Sequence, residues 1–304
     1  MSRYRNYIRR IHPECFVDVD YYHVTGDSIA SGAGFESEPA MVTEGVAWQA
    51  YAPRSPGTGQ RLVRRLKQEL GIGGRSAHVF FAERMFELTG RRSVFSSYAL
   101  GSTAITYQAR PDRHLDYAHL EYSEEKGGHL MLSGLKADLP RTNALVVERS
   151  PGFNVQNNYL LFAGGSYDAL ALYRGIISKS DITRKLVEAK TWWAENYGVS
   201  KMLIFESGIR GMTPEYCKND QETKCDMIGL REAQNDACLA DPDIINVYPH
   251  AASPGEPFNT IETNADGTWK NGSQRYDNAH YSAAMNEMIG KTAAVNFARH
   301  LAAS

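Results

Sequence analysis

Short β-type runs that end in turns of glycine and small polar residues alternate along this chain with longer amphipathic stretches, and that alternation is its strongest constraint on fold. Strand-type runs rich in Val, Ile, Tyr and Phe occupy residues 16–25, 93–99, 158–163, 201–206 and 243–248. Helical periodicity covers 59–70, 77–88, 182–197, 228–239 and 281–303. Thr89-Gly90 closes the second of these helices, glycine tolerating the left-handed backbone found there. Asp181 stands where a cap of the third is needed. Strands alternating with helices favour a parallel sheet covered on both faces. The expectation is therefore an α/β fold: one domain of three layers, α/β/α, on a mostly parallel five-stranded sheet. Residues 110–139 and 249–276 read as long loop insertions, which commonly shape a binding rim.

A chain of 304 residues, 42% hydrophobic, can bury a sizeable core without disulfides or metals. With 33 Lys+Arg against 35 Asp+Glu the formal net charge is -2, without the basic excess of a nucleic-acid surface. Ordinary apolar content and the lack of long charge blocks exclude a disordered tail. The longest apolar stretches, such as 159–163 and 202–205, fall far short of the roughly 18 residues of a membrane span. Met1-Ser2-Arg3-Tyr4-Arg5 is charged but leads into no apolar segment, so no secretory signal is visible. That leaves the compartment open between an extracellular or virion-associated setting and the cytoplasm. The four cysteines, Cys15, Cys217, Cys225 and Cys238, form no CxxC pair. Cys217 and Cys225 bracket a polar segment and could join locally, but free thiols are the preferred reading.

In a parallel sheet, ligands gather at the carboxyl ends of the strands. Three expected strands end there in small turns: Gly26-Asp27-Ser28, Gly101-Ser102 and Gly164-Gly165-Ser166. A fourth polar cluster, Asp277-Asn278-Ala279-His280, precedes the last helix. Serine, histidine and a carboxylate are thus all available to one crevice. That is the material of acyl transfer: a hydroxyl attacks, an imidazole takes its proton, and a carboxylate orients the imidazole. Each piece alone has a plainer reading. Asp and Ser in a turn commonly bond their own backbone, and Asp277 could serve as a helix cap. Order along the chain is what joins them.

That order resembles the SGNH (GDSL-type) hydrolases. The resemblance rests on Gly26-Asp27-Ser28 after the first strand, a glycine after the second, and Asp-x-x-His near the C-terminus. Further blocks are similar to the sialate O-acetylesterase-like carbohydrate esterases within that superfamily. They are Phe81-Ala82-Glu83-Arg84-Met85, Ala99-Leu100-Gly101-Ser102-Thr103-Ala104-Ile105, Arg231-Glu232-Ala233-Gln234 and Asp277-Asn278-Ala279-His280-Tyr281-Ser282. In scattered blocks the resemblance spans about residues 16–301. It implies Ser28 as nucleophile, His280 as general base and Asp277 as its orienting carboxylate. It further implies an oxyanion hole built from the backbone N–H groups of Ser28 and Gly101, to which Gly164 or Gly165, here Gly165 by choice, could lend a third backbone N–H. The activity implied is removal of O-acetyl groups from a carbohydrate, with no metal or organic cofactor.

Two blocks depart from the pattern. The superfamily has Gly-x-Asn-Asp in its third block, and this branch resembles Gln-Gly-Glu-Ser-Asp; here the stretch reads Gly164-Gly165-Ser166-Tyr167-Asp168. The side-chain oxyanion donor is therefore absent, or replaced by Ser166 or Tyr167. Asp27 stands where the branch more often has Gln. Tyr107 and Tyr167 are candidates for lining a carbohydrate groove, as are Tyr117 and Tyr122. Trp192-Trp193 read as helix packing ahead of a sugar platform, and His78 as a surface or packing residue. His114, His119 and His129 with Asp112, Asp116 and Glu121 match no familiar metal-ligand spacing. Gly71-Ile72-Gly73-Gly74 lacks the Lys-Ser/Thr of a phosphate loop. Two other functions stay open: a non-catalytic carbohydrate-binding protein on the same fold, and a lipase or thioesterase for longer acyl chains. The expected partner is an O-acylated carbohydrate, with no nucleic acid and no membrane insertion, and a homo-oligomer is left open.

Overall fold

The computed structural model describes residues 16–26, 43, 45–51, 64–65, 77–99, 103–111, 139–140, 142–149, 152–206, 225–249 and 283–303. Its strands are β1 (Val17–Gly26), β2 (Ala47–Tyr51), β3 (Arg64–Arg65), β4 (Arg92–Ser97), β5 (Phe153–Ala163), β6 (Lys201–Phe205) and β7 (Ile244–Tyr248). The helices are α1 (Ala77–Thr89), α2 (Ser166–Tyr173), α3 (Lys179–Tyr197), α4 (Met227–Ala240) and α5 (Ala283–Ala303), with a π-helical turn at Ala144–Arg149. The seven strands form one sheet in the order β3-β2-β4-β1-β5-β6-β7. Every neighbouring pair is parallel except β2 with β3.

The five expected strands form the heart of this sheet. In chain order they lie 2-1-3-4-5, the flavodoxin-like doubly wound arrangement, whose ligand crevice opens between the first and third strands. Here those are β1 and β5. β1 is buried on both faces, as a central parallel strand must be, and its run of Val and Tyr supplies both. Tyr22 and Val24 pack with Phe81 and Met85 of α1 and Ala293 and Phe297 of α5. On the other face Trp193 and Leu186 of α3 pack with Leu230 and Ala233 of α4. Gly290 lets α5 cross α1 closely, since a Cβ there would come 2.3 Å from the Ala77 carbonyl oxygen.

The differences from expectation have local causes. The sheet has seven strands rather than five, because β2 and β3 extend it beyond β4. Residues 59–70 were expected to be helical, yet Arg65 pairs with Trp48 in β3, so the open ladder of an edge strand overrides local periodicity. β5 starts five residues before the expected position. Its first half is polar because Asn154 and Gln156 donate to Asp18, and Asn157 to Asp20. α3 is capped by Ser178, and Asp181 is its partner in a capping box, not the cap itself. α2 was expected to be a turn and is a short helix.

Candidate active site at the carboxyl end of the sheet

β1 ends at Gly26, which pairs with Ala163 at the end of β5. Its φ is +126°, and a Cβ would lie 1.9 Å from the Ala163 carbonyl oxygen, so only glycine fits. The two strands thus release their following loops side by side at the switch point. Ser28, two residues after Gly26 in the chain, lies outside the described residues. So do Asp27, Gly101, Ser102, Asp277 and His280.

The β5 loop is defined by packing. Gly165 is buried at φ +112°, and a Cβ on it would lie 2.9 Å from Leu230 Cδ1 and 3.1 Å from Ile105 Cδ1. Its carbonyl accepts from Ala169 N–H, opening α2. Gly164 offers its carbonyl to Gln234 Nε2 at 3.4 Å, which seats the Arg231-Glu232-Ala233-Gln234 segment of α4 against the strand end. Asp226 caps α4 through Gly229 N–H, and its own N–H donates to the Ala169 carbonyl.

Asp168, in the first turn of α2, is fully buried. One carboxylate oxygen accepts from Ile105 N–H at 2.6 Å. The other accepts from Thr106 N–H and Thr106 Oγ1, both at 2.9 Å. Burial pushes this carboxyl up to about 7, against the pull of its hydrogen bonds. The residues after β4 are in this way tied to the residues after β5. The sequence carried no signal for this contact, since residues 164–168 read as a turn and nothing local links Asp168 to residues 105 and 106. Tyr107 follows the tied pair directly and is half-buried. Tyr167 precedes Asp168, and the Arg110 guanidinium stands 4.4 Å over its ring. Gly165, Tyr107 and Tyr167 therefore belong to one corner of the sheet's carboxyl edge.

α5 also points its start at that edge. The charges of Lys201 and Asp243 act on the His300 imidazole in its last turn. Both stand at the amino ends of their strands, so Ala283, about 25 Å from His300 at 1.5 Å per residue, lies toward the carboxyl ends. Farther along the edge Glu206 is buried after β6, accepting from Asn246 Nδ2 at 2.6 Å and Asn235 Nδ2 at 3.3 Å. Nothing in the sequence pattern singled that carboxylate out.

Other candidates resolve into packing. Trp193 is buried 4.9 Å from the His23 ring, and Trp192 meets it edge-on. His78 is buried against Phe95, and burial lowers it to about 4. Cys238 is a free thiol, and burial pushes it up to about 11. Among the described residues no cluster of three or more His, Cys, Asp or Glu could hold a metal ion, and no helix is long and apolar enough to cross a membrane. His114, His119, His129, Asp112, Asp116, Glu121, Tyr117, Tyr122 and Cys217 lie outside the described residues.

No family model and no curated protein matches the sequence. Among solved structures, a protein from Arabidopsis thaliana is similar over 91% of this chain and 97% of its own, at 11% identity and a TM-score of 0.50. A carbohydrate acetylesterase from Sinorhizobium meliloti aligns over 93% of this chain and 99% of its own, at 12% identity and a TM-score of 0.47. An aryl esterase of M. smegmatis aligns over 94% and 99%, at 12% identity and a TM-score of 0.46. At these identities the likeness is one of fold. The chain has the three-layer α/β fold on a mostly parallel sheet that its alternation of strands and helices implies.

Proposed function

We propose that the protein is a serine esterase that removes O-acetyl or another small acyl group from a carbohydrate. The observation that carries this reading is the seating of Gly26 against Ala163 at the switch point of the sheet. Ser28 follows Gly26 by two residues, a reach of about 7 Å of chain at most. His280 precedes the described start of α5 by three residues, about 11 Å at most. Both segments therefore leave from the edge at which a doubly wound sheet binds its ligands.

In this mechanism Ser28 Oγ attacks the acyl carbon while His280 takes its proton and Asp277 holds the imidazole. The tetrahedral oxyanion accepts from the N–H groups of Ser28, Gly101 and Gly165; each such donor is worth about 3–4 kcal/mol in the transition state. Collapse expels the sugar oxygen, which receives the proton from His280. Water, activated by the same imidazole, then releases the acid and restores Ser28. The chemistry needs only side chains and backbone N–H groups. Tyr107 and Tyr167 supply aromatic faces with polar tips, which suit sugar rings better than a long acyl chain.

The test is hydrolysis of p-nitrophenyl acetate by wild type and Ser28→Ala, with equal folding checked by circular dichroism. Loss of activity in the variant is expected, together with a preference for acetyl over octanoyl esters. The wild-type rate should rise with pH as an imidazole base loses its proton, around 6.5 when unperturbed. Equal rates in the two proteins would exclude the serine mechanism and favour glycan binding without catalysis.

A further inference from the structure

The third block of this chain has lost the superfamily's asparagine but keeps its aspartate, and the surroundings of Asp168 give that aspartate a task. Its carboxylate receives three hydrogen bonds, at 2.6, 2.9 and 2.9 Å, all from Ile105 and Thr106. Carboxylate, Ile105 and Thr106 are all fully buried. A second contact joins the same two segments, since Ile105 Cδ1 packs where a Cβ on Gly165 would stand, 3.1 Å away. Gly165 lies three residues before Asp168, and Gly101 four residues before Ile105. A polar and an apolar contact thus fix the spacing between the loop that leaves β4 and the loop that leaves β5.

We infer that Asp168 is a positioning residue of the proposed esterase: by tying Ile105 and Thr106 to the first turn of α2, it sets the Gly165 backbone N–H, proposed as an oxyanion donor, against the residues that follow β4. The inference rests on the esterase reading. A neutral side chain could fill the volume, but only a carboxylate presents acceptors alone to three converging donors. An amide in its place turns an N–H toward at least one of them. Oxyanion donors act over a few tenths of an ångström, and a misplacement near 1 Å costs about 100-fold in rate. A shift confined to oxyanion donors weakens binding of the transition state and leaves ground-state binding little altered.

The experiment measures kcat and KM on p-nitrophenyl acetate for wild type, Ser28→Ala, Asp168→Asn, Thr106→Val and Thr106→Ser, each verified as folded by circular dichroism and thermal unfolding. Asp168→Asn should lower kcat about 10- to 100-fold with KM within about twofold. Thr106→Val, which removes one of the three bonds and keeps both backbone donors, should lower kcat by a smaller factor. Thr106→Ser restores the hydroxyl and should restore kcat. A folded Asp168→Asn with wild-type kcat overturns the inference, as does a loss that appears in KM alone or a Thr106→Ser no better than Thr106→Val. If Asp168→Asn does not fold, the Thr106 pair decides by the same criteria. Wild type inactive, or no more active than Ser28→Ala, overturns the esterase reading itself, and the inference with it.

Discussion

His23 has two ring nitrogens in the interior of the protein, and among the described residues neither has a hydrogen-bond partner. It sits on β1 between Tyr21, Tyr98, Trp193 and Tyr197, and burial lowers its pKa to about 3. The folded protein therefore keeps His23 neutral at pH values where the unfolded chain, near 6.5, takes up a proton. The sign follows from linkage: stability is full above about pH 6.5 and declines as pH falls toward 3. His78 acts in the same direction, and Asp168, whose pKa is raised, in the opposite one. Comparing wild type with His23→Leu cancels both, because neither is altered by the substitution. Between pH 7.5 and 5.5, wild type should lose about 1.4 kcal/mol more than His23→Leu, read from urea unfolding midpoints. Equal losses would mean that His23 takes up its proton in the folded state.

At the scale of the element, α3 shows what sequence signals do and do not convey. Its period is plain over residues 182–197, and the expected helix is there. Its first turn is set by Ser178, whose hydroxyl accepts from Asp181 N–H while the Asp181 carboxylate accepts from Ser178 N–H. Ser178→Ala removes one arm of that box and should cost about 1 kcal/mol in unfolding free energy without moving the unfolding slope. The box was legible as Ser-x-x-Asp, but a single aspartate near the helix start drew the cap to the wrong residue. β1, β6, β7 and α1 were legible to within one or two residues because their burial and period agree. The first half of β5 was not, because its outward polar residues answer to Asp18 and Asp20 on another strand. β3 was not either, for its existence depends on an edge that only the assembled sheet provides. Such tertiary causes leave no period in the chain.

At the scale of the whole molecule, the proposed triad is drawn from opposite ends of the sequence, and only the winding of the sheet brings the end of β1 and the start of α5, the described neighbours of Ser28 and His280 in the chain, toward one edge. The order of blocks was legible because the carboxyl ends of parallel strands all face one way, so glycine-ended strands announce one crevice. The tie between the β4 and β5 loops was not, since no local pattern links Asp168 to Ile105 and Thr106. A site assembled in this way acts as a unit, and a unit fails at its first missing part. Ser28→Ala and His280→Ala should each lower kcat on p-nitrophenyl acetate by about 1000-fold or more, and the double variant should be no slower than the worse single variant to within about threefold. Independent contributions would instead multiply, leaving the double variant slower by the product of the two factors. Steady-state kinetics on the four proteins distinguish these outcomes. Multiplying losses would mean that Ser28 and His280 serve separate steps, and a shared crevice would then not be the reason both are needed.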